Sequence, residues 1–233
     1  IGLSLLNLIA NNKNYKIGVH CNKGANRLKS FLKNNTDRIK IFSKNLKKKK
    51  DCIDLARKYM HWSKRIDVLI QLNGKISTSK NWQFIDEKNW NDDLAVNLSA
   101  PFFISQILFN KMKKNGGKII FTSTSSADKG GSQNSIGYGI AKSGLMSLTK
   151  ILAKEGGKYK IRVNCIAPGF ILTRLHTNKL KKTNKEINNR KKLNVLKEAG
   201  DPMDVANLIK YLILDSTKFI TGEIIRVDGG DWL

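Results

Sequence analysis

The sequence predicts an α/β fold, a doubly wound parallel sheet with helices on both faces, three layers deep. Short apolar runs rich in Ile and Val alternate with amphipathic stretches along the whole chain, the order expected of a parallel sheet wrapped by helices. Within those runs apolar residues follow one another directly, as strands buried on both faces require. The chain has 233 residues with 40% hydrophobic content, enough for one sizeable core and unlike a disordered chain.

The elements follow in order. The leucines of 3–11 predict a first helix, and Ile17 and Val19 make 16–20 a strand. A helix at 25–34 leads to the strand at 38–42, whose Ile39, Ile41 and Phe42 are apolar. Next come a helix at 48–63, the apolar strand 68–71 and a long helix at 89–114. The run Lys118-Ile119-Ile120-Phe121-Thr122 is a strand, 138–154 a helix and 162–166 a strand. Asp201-Pro202 opens a helix at 202–214, with the acid as cap and proline at the first helical position. A strand at 224–227 closes the alternation. Two stretches break it. Residues 130–137 form a Gly/Ser/Asn loop, and 172–200 is long, polar and very basic. An insertion of that kind is expected as a mobile lid rather than a domain. With no repeat and no linker, 1–233 is expected to act as one unit.

The formal charge of +25 fits either a polyanion partner or lysines spread over every solvated face. Lysines occur in nearly every segment and form an unbroken run only at 47–50, which favours the second reading and disfavours nucleic acid. No apolar run approaches the ~20 residues that span a bilayer, and there is no signal-peptide pattern, so no membrane partner is expected. Cys21, Cys52 and Cys165 are scattered, odd in number and without CxxC spacing. They point to a reducing compartment, the cytoplasm, and against a disulfide framework or a zinc site. The chain opens at Ile1-Gly2, without Met and within an element, and is expected to be a fragment.

Chemistry concentrates at Tyr138-Gly139-Ile140-Ala141-Lys142. Residues four apart share a helix face, so phenol and ammonium lie side by side. A free tyrosine titrates at about 10 and is a poor acid or base near neutrality. A fixed cation favours the phenolate and brings it toward working pH. On its own the spacing is a weak signal. Its context is Ser125, which stands thirteen residues earlier, just after an apolar strand. Downstream lie Asn164-Cys165-Ile166-Ala167-Pro168-Gly169-Phe170-Ile171-Leu172-Thr173, then Ile220-Thr221-Gly222-Glu223 and Val227-Asp228-Gly229-Gly230. In this order and spacing they closely resemble the short-chain dehydrogenase/reductase family, in its YxxxK subgroup, over essentially the whole chain and most strongly over 97–230. The resemblance implies a Rossmann-like fold and a single dinucleotide-binding and catalytic domain.

By that resemblance Tyr138 is the acid/base at the carbonyl or alcohol oxygen. Lys142 lowers the tyrosine and bonds the nicotinamide ribose, and Ser125 holds the substrate oxygen where charge develops. Asn97 supports a water-linked proton relay to the lysine. Ser123 and Ser126 are rivals for the serine role, and Ser125 is preferred on its distance from Tyr138. Ile171 and Thr173, after the Pro168-Gly169 turn, match positions that contact the carboxamide and the diphosphate. Asn22 and Lys23 follow the strand whose end meets the adenosine ribose, where an acid selects NAD and a cation accommodates a 2′-phosphate. A lysine without an acid favours NADP(H) over NAD(H). Gly74, after Asn73, lets the backbone approach the cofactor.

The sequence also departs from the pattern. The glycine-rich phosphate turn is missing except for a final Ile1-Gly2, and so is the first strand, which would lay a diphosphate on a helix N-terminus. The family's NNAG turn reads Gln71-Leu72-Asn73-Gly74, and the acid that meets the adenine is replaced by Asn45, beside Leu46. The resemblance is nearest to 3-oxoacyl-carrier-protein reductases, with a small-molecule or acyl-carrier-bound carbonyl as substrate. Lys179, Lys181, Lys182, Arg190, Lys191 and Lys192 of the lid would suit an acidic carrier. Sugar, steroid or small-ketone dehydrogenases are the alternative, and an inactive dinucleotide-binding scaffold is the alternative of another class. Trp90, Leu94, Phe102, Phe103 and Ile107 on the long helix, and Ile140, Leu145, Leu148 and Ile151 on the tyrosine helix, exceed one apolar face. They suit burial against a second subunit, and the resemblance adds the expectation of a homodimer or homotetramer.

Overall fold

A computed structural model describes residues 1–32, 35, 37–131, 133–173, 183–231 and 233. All six strands run parallel. The ladder β3 (Val68–Gln71), β4 (Gly117–Thr122), β5 (Ile161–Pro168), β6 (Ile224–Val227) forms one sheet, and β1 (Ile17–Cys21) pairs with β2 (Ile39–Ser43) in another. The register aligns Ile119 with Val163 and Ile120 with Asn164 across the centre. Successive side chains of a strand point to opposite faces, and both faces of the larger sheet are covered. Ile119 and Phe121 of β4 meet one cluster with Ile104, Leu108 and Leu145. Ile120 meets the other, with Leu5, Val205 and Ile209. The first cluster is built from α3 (Lys49–Ser63), α5 (Ala100–Met112) and α6 (Ile136–Gly156), and the second from α1 (Gly2–Ile9) and α8 (Pro202–Leu212). α2 (Lys29–Leu32), preceded by a 3-10 turn at Ala25–Leu28, accounts for 25–32 of the expected helix 25–34, the rest lying outside the described residues, and Leu28 packs on Leu6 and Ile39.

The expected strands and helices are found within a few residues, with two departures. The long helix 89–114 is divided: α4 (Glu87–Leu94) passes through a π-helical turn at Ala95–Ser99 before α5 begins. Pro101 has no N–H to continue the ladder, and the wider turn lies just upstream of it. The region 172–200 is not uniformly irregular. Ile171 bridges to Gly200 in parallel fashion, and α7 (Asn184–Lys191) starts with a capping box between Thr183 and Glu186. That box satisfies the first-turn N–H groups reciprocally. Lys179, Lys181 and Lys182 lie outside the described residues. Arg190 and Lys191 are on α7, followed by Lys192.

Among the described residues β1 and β3 share no ladder. Between them lies a cavity of about 1560 Å³, lined by Ile17–Cys21 on one side and Val68–Gln71 on the other. These strands are partly exposed where β4 and β5 are buried.

Candidate active site

The tyrosine helix is fixed in place by small residues and one serine. Gly139 lies against the Cα of Gly131, where any Cβ would stand 3.3 Å away, and Gly131 takes a φ of +81° that favours glycine. Ser123 Oγ donates to the Lys142 carbonyl at 2.8 Å. That bond commits Ser123 to holding α6. Ser126 Oγ pairs with Thr124 Oγ1 at 3.1 Å. Ser125, 1% exposed, opens the 3-10 turn Ser125–Lys129 packed on α6, and its hydroxyl lies 3.5 Å from Asp231 Oδ2.

Tyr138 and Lys142 share one face of α6, with the ammonium 5.7 Å from the ring centroid. Lys142 is 2% exposed and donates to the carbonyls of Asn73 at 2.5 Å and Thr122 at 2.6 Å. Burial pushes it down to about 8. Against the lowering expected from the lysine, burial, reinforced by the charge of Asp93, pushes Tyr138 up to about 12. A cation that is itself desolvated and turned to two carbonyls is outweighed by the desolvation of the phenolate.

Asn97 sits in the π turn and is fully buried. Its Nδ2 donates to the carbonyls of Lys75 (2.7 Å) and Asp93 (2.9 Å), and its Oδ1 accepts from Lys75 N at 2.9 Å. The loop Asn73-Gly74-Lys75 is thus clamped between Lys142 and Asn97. π turns recur at functional sites; here the turn sets the asparagine's aim.

Gly2, Asn22, Lys23 and Asn45 all line the cavity between β1 and β3. So do Leu46, Asn73 and Gly74. Lys23 is exposed and Arg27 is near it, while the acids of the lining, Asp67 and Asp215, belong to segments at the opposite ends of the strands. Asn45 Oδ1 accepts from Lys47 N. Gly74 has no atom within 4 Å of where a Cβ would stand. Pro168, Gly169, Ile171 and Thr173 fall outside that lining. Gly169 donates to Val227 O at 2.9 Å and approaches Asp228 so closely that a Cβ would stand 2.6 Å from its Cα. The Ile171 side chain is in the core beside Leu5 and Val205, with its N–H donating to Gly169 O.

A family model described as enoyl-(acyl carrier protein) reductase matches residues 14–231. The chain belongs to the short-chain dehydrogenase/reductase family. A relative, the 7alpha-hydroxysteroid dehydrogenase of Bacteroides fragilis, is 33% identical over 187 residues, 78% of this chain and 70% of that protein. The 3-oxoacyl-acyl-carrier-protein reductase FabG of Chlamydia pneumoniae is 32% identical over 187 residues, again 78% and 70%. The solved structure of ElxO with NADP bound shares the fold, with a TM-score of 0.86 over 99% of this chain and 94% of that one, at 21% identity. This short-chain dehydrogenase/reductase is an oxidoreductase. No helix among its described residues is long and apolar enough to cross a membrane.

Two acids of the site are not apparent from the sequence pattern. Asp93 stands four residues before Asn97, on the same helix face, and that spacing is the signal that could have found it; it is the buried residue of α4. Asp231, which meets Ser125 across 106 positions, gives none.

Proposed function

We propose that this chain is an NADP(H)-dependent carbonyl reductase or alcohol dehydrogenase in which Tyr138 gives or takes the proton at the substrate oxygen. The observation that carries the reading is Lys142: a nearly fully buried ammonium, one helical turn from Tyr138, fastened to the carbonyls of Asn73 and Thr122. Burying a charge is costly, and here the cation is fastened through the Asn73 carbonyl to a loop that lines the cavity.

The residues fit a dinucleotide. The cavity runs along the length of β1 and β3 and includes their carboxyl ends, where ligands of open α/β sheets bind, and Gly2 of α1 and the bare backbone of Gly74 line it. When bound, the nicotinamide donates or receives the hydride. Gly2, Asn73, Gly74 and Lys142 would hold it from the cavity side, and Pro168, Gly169, Ile171 and Thr173 from the β5 end. Asn22, Lys23, Asn45 and Leu46 would hold the adenosine half, where Lys23 without a neighbouring acid favours NADP(H). Ser125 would steady the substrate oxygen, and Asn97 would keep the Lys75 loop in line with Lys142.

Two substrate classes have support. The Chlamydia relative and the cations of α7 favour a 3-oxoacyl group on an acidic carrier, and the Bacteroides relative favours a hydroxysteroid. A homodimer or homotetramer is supported by the apolar groove of Leu98, Phe102, Phe103, Leu148 and Ile151, of which Ile151 is 62% exposed. Leu145, expected on that face, is in the core. Free thiols at Cys21, Cys52 and Cys165 support a reducing, cytoplasmic setting. Spectrophotometric NADPH oxidation across an acetoacetyl thioester, a ketosteroid, sugars and simple ketones tests the function. Turnover of one class, lost in Tyr138→Phe, is the expected result. Turnover that survives this change, or a failure of every carbonyl, overturns it.

A further inference from the structure

Asp92 and Asp93 are adjacent acids of α4 that turn to different tasks. Asp93 is 3% exposed and accepts from Ser77 N at 2.8 Å. Asp92 reaches two lysines at once: its Oδ2 meets Lys47 Nζ at 2.5 Å and Lys75 Nζ at 2.7 Å. Its side chain is 15% exposed, so the carboxylate is largely withdrawn from water.

The two lysines belong to loops of different sheets. Lys47 ends the run Asn45-Leu46-Lys47 after β2, of the two-stranded sheet, and Lys75 ends Asn73-Gly74-Lys75 after β3, of the four-stranded one. All six residues line the cavity, and Asp92 stands outside that lining. The loop after β3 is fixed without Asp92: Asn73 O accepts from Lys142, and Asn97 bonds both the N–H and the carbonyl of Lys75. The loop after β2 has fewer ties. Leu46 is buried, but Asn45 Oδ1 is turned to Lys47 N within the same loop. Lys44 is taken up by Asp51 and Asp54, and among the described residues Asp92 is the acid that pairs with Lys47.

We infer that Asp92 is a positioning residue for the dinucleotide cavity: through Lys75 it grips the clamped loop of the larger sheet, and through Lys47 it carries that order across to 45–47 of the smaller one. The inference rests on the cofactor reading above and adds to it a residue that no ligand in the cavity need touch. Charge-assisted pairs between two loops remove motion that binding would otherwise have to freeze. A competing effect has the opposite sign. A carboxylate near the cavity repels the phosphates of a dinucleotide, and loss of that repulsion alone would tighten binding, more for NADPH than for NADH.

Hydrogen–deuterium exchange of the ligand-free chain tests the strap itself. In Asp92→Asn, which keeps the shape without the charge, exchange at 44–48 is expected to rise about threefold or more. Residues 73–75 and the strands β4 and β5 should exchange as in the wild type. Asp92→Glu restores the carboxylate and should return 44–48 toward wild type, and Lys47→Met should reproduce the loosening with Asp92 intact. In a fluorescence titration NADPH and NADH are each expected to bind Asp92→Asn about threefold more weakly, by the same factor. Unchanged exchange at 44–48, or acceleration spread through β4 and β5, overturns the inference. So does binding that is unchanged, or tighter with NADPH gaining more than NADH. Loosening confined to 44–48 in a chain that binds neither dinucleotide leaves Asp92 its hold on Lys47 and removes the proposed function.

Discussion

The two sides of this molecule are finished to different degrees. From β4 to β5 the strands are buried on both faces, and Phe121, Ile119, Val163 and Cys165 are sealed from solvent. The polar side chains of the site tie this side together. Ser123 holds α6, Asn97 holds the Lys75 loop, and Lys142 joins that loop to β4. On the other side β1 and β2 stand as a pair across a cavity, and Ile17 and Val19 are only partly covered. The residues proposed for proton transfer thus lie on the tightly packed side, and the proposed cofactor groove on the loosely packed one. Damage to the first should remove catalysis, and damage to the second should weaken binding and local stability.

The largest expected effect breaks the first side. Tyr138→Phe should lower kcat by roughly a hundredfold to ten-thousandfold, the usual worth of a positioned acid/base, with NADPH affinity in a fluorescence titration unchanged.

Stability should divide the two sides next. In urea unfolding, Ile120→Ala, from a fully buried position, should cost about 2–5 kcal/mol, whereas Ile17→Ala should cost about 1 kcal/mol because its side chain is already partly exposed.

Lys142 sharpens the comparison through pH. Its ammonium falls to about 8 in the folded chain from 10.5 unfolded, so between those values the unfolded state binds more protons and folding stability gains with rising pH. Below about 8 both states are charged and the burial penalty stands in full. The stability of the wild type relative to Lys142→Met should therefore rise by about 1 kcal/mol per pH unit through this window, as measured by denaturant unfolding at several pH values. A flat difference would mean that Lys142 is not desolvated.

The smallest effect concerns the loose side. Lys23→Glu should reduce the preference for NADPH over NADH by about tenfold, the worth of one charge-assisted bond, as read from kcat/KM with each cofactor.

Much of the tight side was legible in the sequence because its signals are local. Tyr138 and Lys142 are one helical turn apart, Ser125 follows a strand at a countable distance, and the Ile and Val runs of β4 and β5 could only be buried strands. The loose side was legible as the strands 16–20 and 38–42, whose separation from β3 by a cavity no linear pattern encodes. What could not be read depends on long-range approach or on competition between effects. The π turn arises where Pro101 and the clamp on Asn97 meet. Tyr138 responds to burial and to Asp93 more than to the lysine, and the balance of desolvation against attraction is not visible in a spacing. Ser123, a rival for the serine role, donates to a helix carbonyl in a bond that no linear pattern encodes.

The clasp among Ser125, Lys129 and Asp231 joins the hydroxyl proposed to hold the substrate to a carboxylate 106 positions later. During synthesis the tyrosine helix and its supporting strands can assemble while that acid is still inside the ribosome. The surroundings of the serine are therefore complete only when the turn that carries Asp231 has folded back onto the 3-10 turn at Ser125–Lys129. Assembly of this part of the site depends on an approach between distant segments and not on the tyrosine helix alone.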